Sequence, residues 1–171
     1  TEKMETHDLF PEDFIVALPT PSNYIGPTRI FPKDAEFHSQ LVYITDAGRE
    51  EEDGYSFYFK HKKDWKGKLP ESMTDAIYAF YLANAIRDLR GDQREHRSML
   101  INISRFVKVQ KYIKEVVEKI HAEAYRSLKY NLCSVFELSM IDPVLYRIYK
   151  FWQTQYELCG FTWNEVAAAL F

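Results

Sequence analysis

Along this chain the apolar positions follow two regimes. In the first part they come in short clusters separated by turn residues; from Ser72 onward they recur with the period of a helix. Residues 14–18 (Phe14, Ile15, Val16, Ala17, Leu18) form a short apolar run closed by Pro19 and Pro21, a pattern that predicts a buried strand entering a loop. Asn23, Gly26 and Pro27 then supply turn chemistry, and residues 41–44 give a second strand candidate. An acidic, turn-like stretch at 49–54 leads into residues 55–59, whose aromatic content suits a strand.

The second regime opens with a helix predicted from Ser72. Ser72 and Asp75 approximate a capping box, Arg87 and Arg90 occupy the last turn, and Gly91 supplies the stop. Ile77, Phe80, Tyr81, Leu82, Ala85, Ile86 and Leu89 leave little polar face, as in a helix buried on more than one side. Residues 99–103 read as an interior strand running straight into a second helix. Val109, Ile113, Val116, Val117, Ile120 and Ala124 give that helix the clearest amphipathic spacing in the chain. A third helix begins with Asp142 as cap and Pro143 at its first position, stops at Gly160, and carries Leu145, Ile148, Tyr149, Trp152 and Tyr156. Thr162 and Glu165 open a last helix with a capping box. The expected fold is α/β and predominantly helical: short N-terminal strands, then helix–strand–helix, then C-terminal helices. Residues 1–171 read as one domain, cut at both ends from a larger protein, since the chain lacks an initiator Met and stops on apolar residues.

Composition narrows the function classes. A formal net charge of −3 gives no whole-molecule attraction for nucleic acid, so any phosphate contact needs a local basic patch. No apolar run approaches the roughly 20 residues that span a bilayer, and the acidic N-terminus is no signal peptide. Cys133 and Cys159 read as thiols rather than a disulfide, and the expected location is the cytoplasm. The aromatic share of 16% calls for an extensive interface or groove besides a core.

Catalytic signatures are sparse. The chain has no GxxxxGK[ST] loop, no Gly-rich dinucleotide turn and no GxSxG elbow. The five histidines, His7, His38, His61, His96 and His121, are scattered without metal-ligand spacing; His96 beside Glu95 and His121 one turn after Glu118 offer ligand pairs, against which the reading as solvated surface residues is favoured. One weak nuclease-like order exists: Asp53, then Asp64 two residues before Lys66, the arrangement in which carboxylates hold Mg²⁺ and a Lys polarises water. Its alternative is a plain solvated loop.

Two basic features point toward nucleic acid. Lys60, Lys62, Lys63, Lys66 and Lys68 surround Trp65, so the lysines can meet phosphates while Trp65 stacks on a base; alternatively Trp65 folds back as an anchor. Ser104 and Arg105 lie where the predicted strand meets a helix, either as a phosphate grip or as helix cap and surface residue.

Three segments carry a family resemblance: residues 8–19, residues 21–26 and, above all, Arg97-Ser98-Met99-Leu100-Ile101-Asn102-Ile103-Ser104-Arg105-Phe106. They resemble the Z-one domain, associated with endonucleases and superfamily-two helicases in large bacterial proteins of restriction-like defence loci. The resemblance implies a partner in the motor lobes of a helicase-like parent protein, with residues 99–105 tracking a DNA backbone. The nucleotide-binding loop of such motors is missing here, so ATP would belong to the parent alone, and no cofactor is expected in this chain. Three functions stay open: an accessory DNA-interaction module, a metal-dependent DNA endonuclease, and a protein–protein docking module.

Overall fold

The structure is a computed structural model that describes residues 21, 24–48, 50, 52–130 and 142–170. Its described residues hold five α-helices: α1 (Pro27–Ile30), α2 (Glu71–Leu89), α3 (Val107–Tyr130), α4 (Pro143–Gln155) and α5 (Trp163–Ala169). Short 3-10 turns stand at His38–Gln40 and Glu157–Cys159. The chain divides into a unit up to Tyr43 and a unit from Ile44 onward. In the first, Arg29 pairs with Glu36 at 2.6 Å and lies over the Phe37 ring, closing a small local turn structure.

The second unit is built on its helices. α2 is stopped where the sequence places the stop. Gly91 takes a left-handed φ of 94°, its N–H reaches the Asp88 carbonyl, and the Asp92 N–H reaches Arg87, which together make a Schellman closure. The start of α2 is different. The helix begins at Glu71 behind Pro70, and Ser72 makes no capping box with Asp75. The Asp46 carboxylate, 26 residues upstream, accepts from the Ser72 N–H at 2.8 Å and from its hydroxyl at 2.6 Å. Asp75 instead accepts from Arg147 of α4 at 2.9 Å.

α4 and α5 start as their caps dictate. Asp142 accepts from the N–H groups of Val144 and Leu145 ahead of Pro143, and Thr162 and Glu165 complete a reciprocal capping box. α4 ends at Gln155, and the chain reaches Gly160 through the 3-10 turn. Tyr78, Leu82, Ala85 and Ile86 of α2 pack with Ala124 and Leu128 of α3, Leu145, Ile148 and Trp152 of α4, and Trp163, Val166 and Ala167 of α5. Leu82, Ile148 and Val166 are wholly inaccessible to solvent.

A second apolar cluster sits on the other stretch of α2 and α3. Met73 and Ile77 of α2 and Val109 and Ile113 of α3 meet Phe57, Tyr58 and Trp65, which come from irregular chain.

The strand expectations, and with them the α/β class, are overturned: the described residues are helical and contain no strand. Residues 14–18 lie outside the described residues. Residues 41–45 have no regular structure, with Val42 and Tyr43 exposed. Residues 55–59 carry two isolated bridges, Gly48 to Tyr58 and Ser56 to Lys68, which do not extend into a ladder. Residues 99–103 run without regular structure, so helix–strand–helix is helix–coil–helix. The physical reason is that a strand needs a neighbour for its N–H and C=O groups, while alternation alone only needs an apolar surface. Ile101 and Ile103 find that surface beside Ile113 and Val117 of α3, with Leu100 left 89% exposed. No helix among the described residues is long and apolar enough to cross a membrane.

Candidate nucleic-acid interface

Residues 58–68 form two consecutive turns that alternate anchors with tips. The His61 N–H bonds back to the Tyr58 carbonyl at 3.2 Å, leaving Phe59 and Lys60 at the first tip. The Trp65 N–H bonds to the Lys62 carbonyl at 3.2 Å, leaving Lys63 and Asp64 at the second. His61 and Trp65, four residues apart, turn inward and are 7% and 6% exposed. Trp65 meets Phe57 and Tyr112 edge to face, at 5.2 Å and 6.0 Å between centroids, so its ring serves as the loop's anchor.

The base of the loop is fixed by a close approach. A Cβ on Gly67 would stand 1.6 Å from the Tyr55 carbonyl oxygen, where only hydrogen fits. That approach lets the Lys68 N–H reach Tyr55 and the Phe57 N–H reach the Lys68 carbonyl, both at 2.9 Å. The Tyr112 hydroxyl of α3 donates to the Gly67 carbonyl at 2.8 Å, and burial pushes that phenol up from its ordinary pKa.

His61 joins this loop to the start of α3. Its Nδ1 lies 3.0 Å from the Tyr58 carbonyl, which can only accept, so Nδ1 carries the proton. Nε2 is then the acceptor for the Ser104 hydroxyl, 2.9 Å away. The same Ser104 Oγ accepts from the Phe106 N–H at 3.0 Å, and the Gln110 side chain donates to the Ser104 carbonyl at 2.7 Å. Ser104 is buried and its hydroxyl is engaged in both directions, so it holds the corner in shape and has no direction left for a phosphate. Arg105 next to it is exposed, its guanidinium 4.9 Å from the Phe106 ring centroid.

The two basic segments that look independent in sequence are therefore one hydrogen bond apart. Lys60, Lys62, Lys63 and Lys66 are exposed on one side of that bond, and Arg105 and Lys108 on the other. Lys68 is tied to Glu71 at 2.9 Å, an ion pair that raises the Lys68 pKa and helps hold Glu71 below the usual carboxylate range.

The nuclease-like residues are placed apart in role. Asp53 accepts from the Ser56 and Tyr55 N–H groups and the Ser56 hydroxyl at 2.7 to 2.8 Å, which lowers its pKa and makes it a local turn brace. It faces a pocket with Glu50 and Glu52. Asp64 stands exposed at the second tip and Lys66 is exposed beyond it. No group of three or more His, Cys, Asp or Glu among the described residues is arranged to hold a metal.

Sequence reasoning passed over His61, to which it gave no role. The available signal was its spacing, four residues before Trp65 with lysines in between, the mark of two inward anchors in a solvated loop. His121, read as a surface residue, bonds through Nδ1 to the Tyr81 hydroxyl at 2.8 Å.

The family model described as Z1 domain matches residues 72–171, more than half of the chain. The matched stretch contains the Ser104–Arg105 corner and starts after the lysine loop. No curated protein and no solved structure gives a significant match.

Proposed function

The chain belongs to the Z1 domain family, and on that premise we propose that it is an accessory DNA-interaction module of a helicase-like bacterial defence protein, holding the nucleic-acid backbone without chemistry of its own. The observation that supports this reading is the His61–Ser104 hydrogen bond, which brings the lysine loop and the Arg105 corner next to each other. A chain of net charge −3 binds a polyanion only through a local group of cations, and a buried contact brings these two basic segments together. The carboxylates of Glu50, Glu52 and Asp53 line a separate pocket, which disfavours phosphate there.

Arg105 and the exposed Lys60, Lys63 and Lys66 are the phosphate-contacting groups; Ser104 and His61 are positioning residues. Trp65 contributes the rigidity of the loop. Four phosphate contacts give a slope of log affinity against log salt of about −3 on single strands. The test is fluorescence anisotropy with labelled DNA over a salt series, the same samples being run on a gel after adding Mg²⁺. Salt-dependent binding of intact DNA, with a flatter slope for Arg105→Ala, is the expected result. Mg²⁺-dependent cleavage lost in Asp64→Ala would replace this reading with a nuclease.

A further inference from the structure

We propose that the ligand of this surface is single-stranded nucleic acid and that Phe59 is the platform on which a base stacks, an inference that rests on the nucleic-acid reading above. An exposed aromatic residue is by itself ordinary. Phe59 differs in where it stands and how it is held. It sits at the tip of the 58–61 turn, a position that favours small or polar residues, and it is 60% exposed. Its N–H is pinned to the Gly48 carbonyl at 3.0 Å, and its neighbours Phe57 and Tyr58 are buried in the core. Its only ring contact within the described residues is a T-shaped one with Phe57 at 6.2 Å, so no ring among them stacks on it.

The residues around the ring complete the case. Lys60 follows it at the same tip, and Lys62 and Lys63 open the next turn. A flat apolar face among cations is the combination that recognises a strand with unstacked bases: the lysines take the backbone and the ring takes a base. A duplex hides its base faces within the stack and offers Phe59 nothing. The other exposed aromatic nearby, Tyr55, adjoins the Asp53 carboxylate through its own N–H at 2.8 Å, where phosphate is repelled. The stacking role that the composition of the loop suggests for Trp65 thus falls to Phe59.

The experiment measures binding of the 171-residue chain to a labelled oligothymidine and to a duplex of equal length, for the unchanged protein, Phe59→Ala, Phe59→Trp and Lys60→Ala/Lys63→Ala. Oligothymidine carrying one 2-aminopurine reports stacking through fluorescence quenching. The expected result is preference for the single strand, a loss of roughly tenfold or more in Phe59→Ala with an unchanged salt slope, and retention in Phe59→Trp. The lysine variant loses affinity for both ligands and flattens both slopes. Equal binding of the two ligands, with Phe59→Ala changing neither affinity nor quenching, would overturn stacking and leave the backbone reading intact. Binding of neither ligand at low salt would overturn both. Because Phe59 is exposed, its variants should melt with the parent, and circular dichroism checks that they are folded.

Discussion

The two apolar clusters of the helical unit are held by different means. The larger, around Leu82, Leu145, Ile148 and Val166, is helix on helix, and its stability comes from apolar area repeated at helical spacing. The smaller, around Phe57, Trp65, Met73 and Val109, seals irregular chain against two helices. That chain is kept in place by single long-range contacts: Asp46 with Ser72, Tyr112 with Gly67, His61 with Ser104. Redundant packing gives a scaffold that tolerates small faults. Singular contacts give a surface whose shape depends on each of them, and the lysine loop and Arg105 belong to it.

The comparison breaks most severely in the scaffold. Leu82→Ala, at a side chain with no exposure, should cost about 3 kcal/mol and lower the urea midpoint of the whole unit. Gly67→Ala should cost about 2 kcal/mol, since a methyl group cannot share space with the Tyr55 oxygen and the loop base must move. Hydrogen exchange should then accelerate at Phe57 and Lys68 while α4 and α5 keep their protection; uniform acceleration would mean that the two clusters are not separable.

His61→Ala comes next, at about 2 kcal/mol, because it removes a buried bond and leaves the Ser104 hydroxyl without its acceptor. It should also weaken DNA binding although no lysine or arginine is lost. A variant that melts lower yet binds as before would separate the link from the surface.

The Asp46 cap gives the smallest effect on stability, below about 1 kcal/mol, and a distinctive pH dependence. Burial raises this carboxyl, but the hydrogen bonds from Ser72 outweigh it and leave the pKa below the ordinary 3.8. A depressed carboxyl stabilises the fold above the unfolded pKa and loses that contribution as pH falls through the folded value. The melting difference between the parent and Asp46→Asn should therefore be full at pH 6 and shrink below about pH 4. A difference that grows on acidification would contradict the cap.

The same contrast explains what could be read from the sequence. α3, α4 and α5 were legible because their apolar stripes and the Asp142 and Thr162–Glu165 caps are local signals. The start of α2 falls within one residue of the expected Ser72, but its cap was not legible, because the capping carboxylate comes from Asp46, 26 residues away. Residues 99–103 have a strand's composition, and nothing within them says whether a ladder partner is present. At the candidate site, composition marked the lysines and Arg105, but it could not show that His61 joins them. Nor could it tell the inward Trp65 from the outward Phe59, because both are aromatic residues beside lysines.

The most direct test of a single basic surface is the salt slope of one short oligonucleotide with the parent, Lys60→Ala/Lys63→Ala and Arg105→Ala. If both segments touch the same strand, each variant flattens the slope on that one ligand, by about 0.7 for every charge removed. A slope that responds to only one of the two variants would place the segments on separate surfaces and contradict the account.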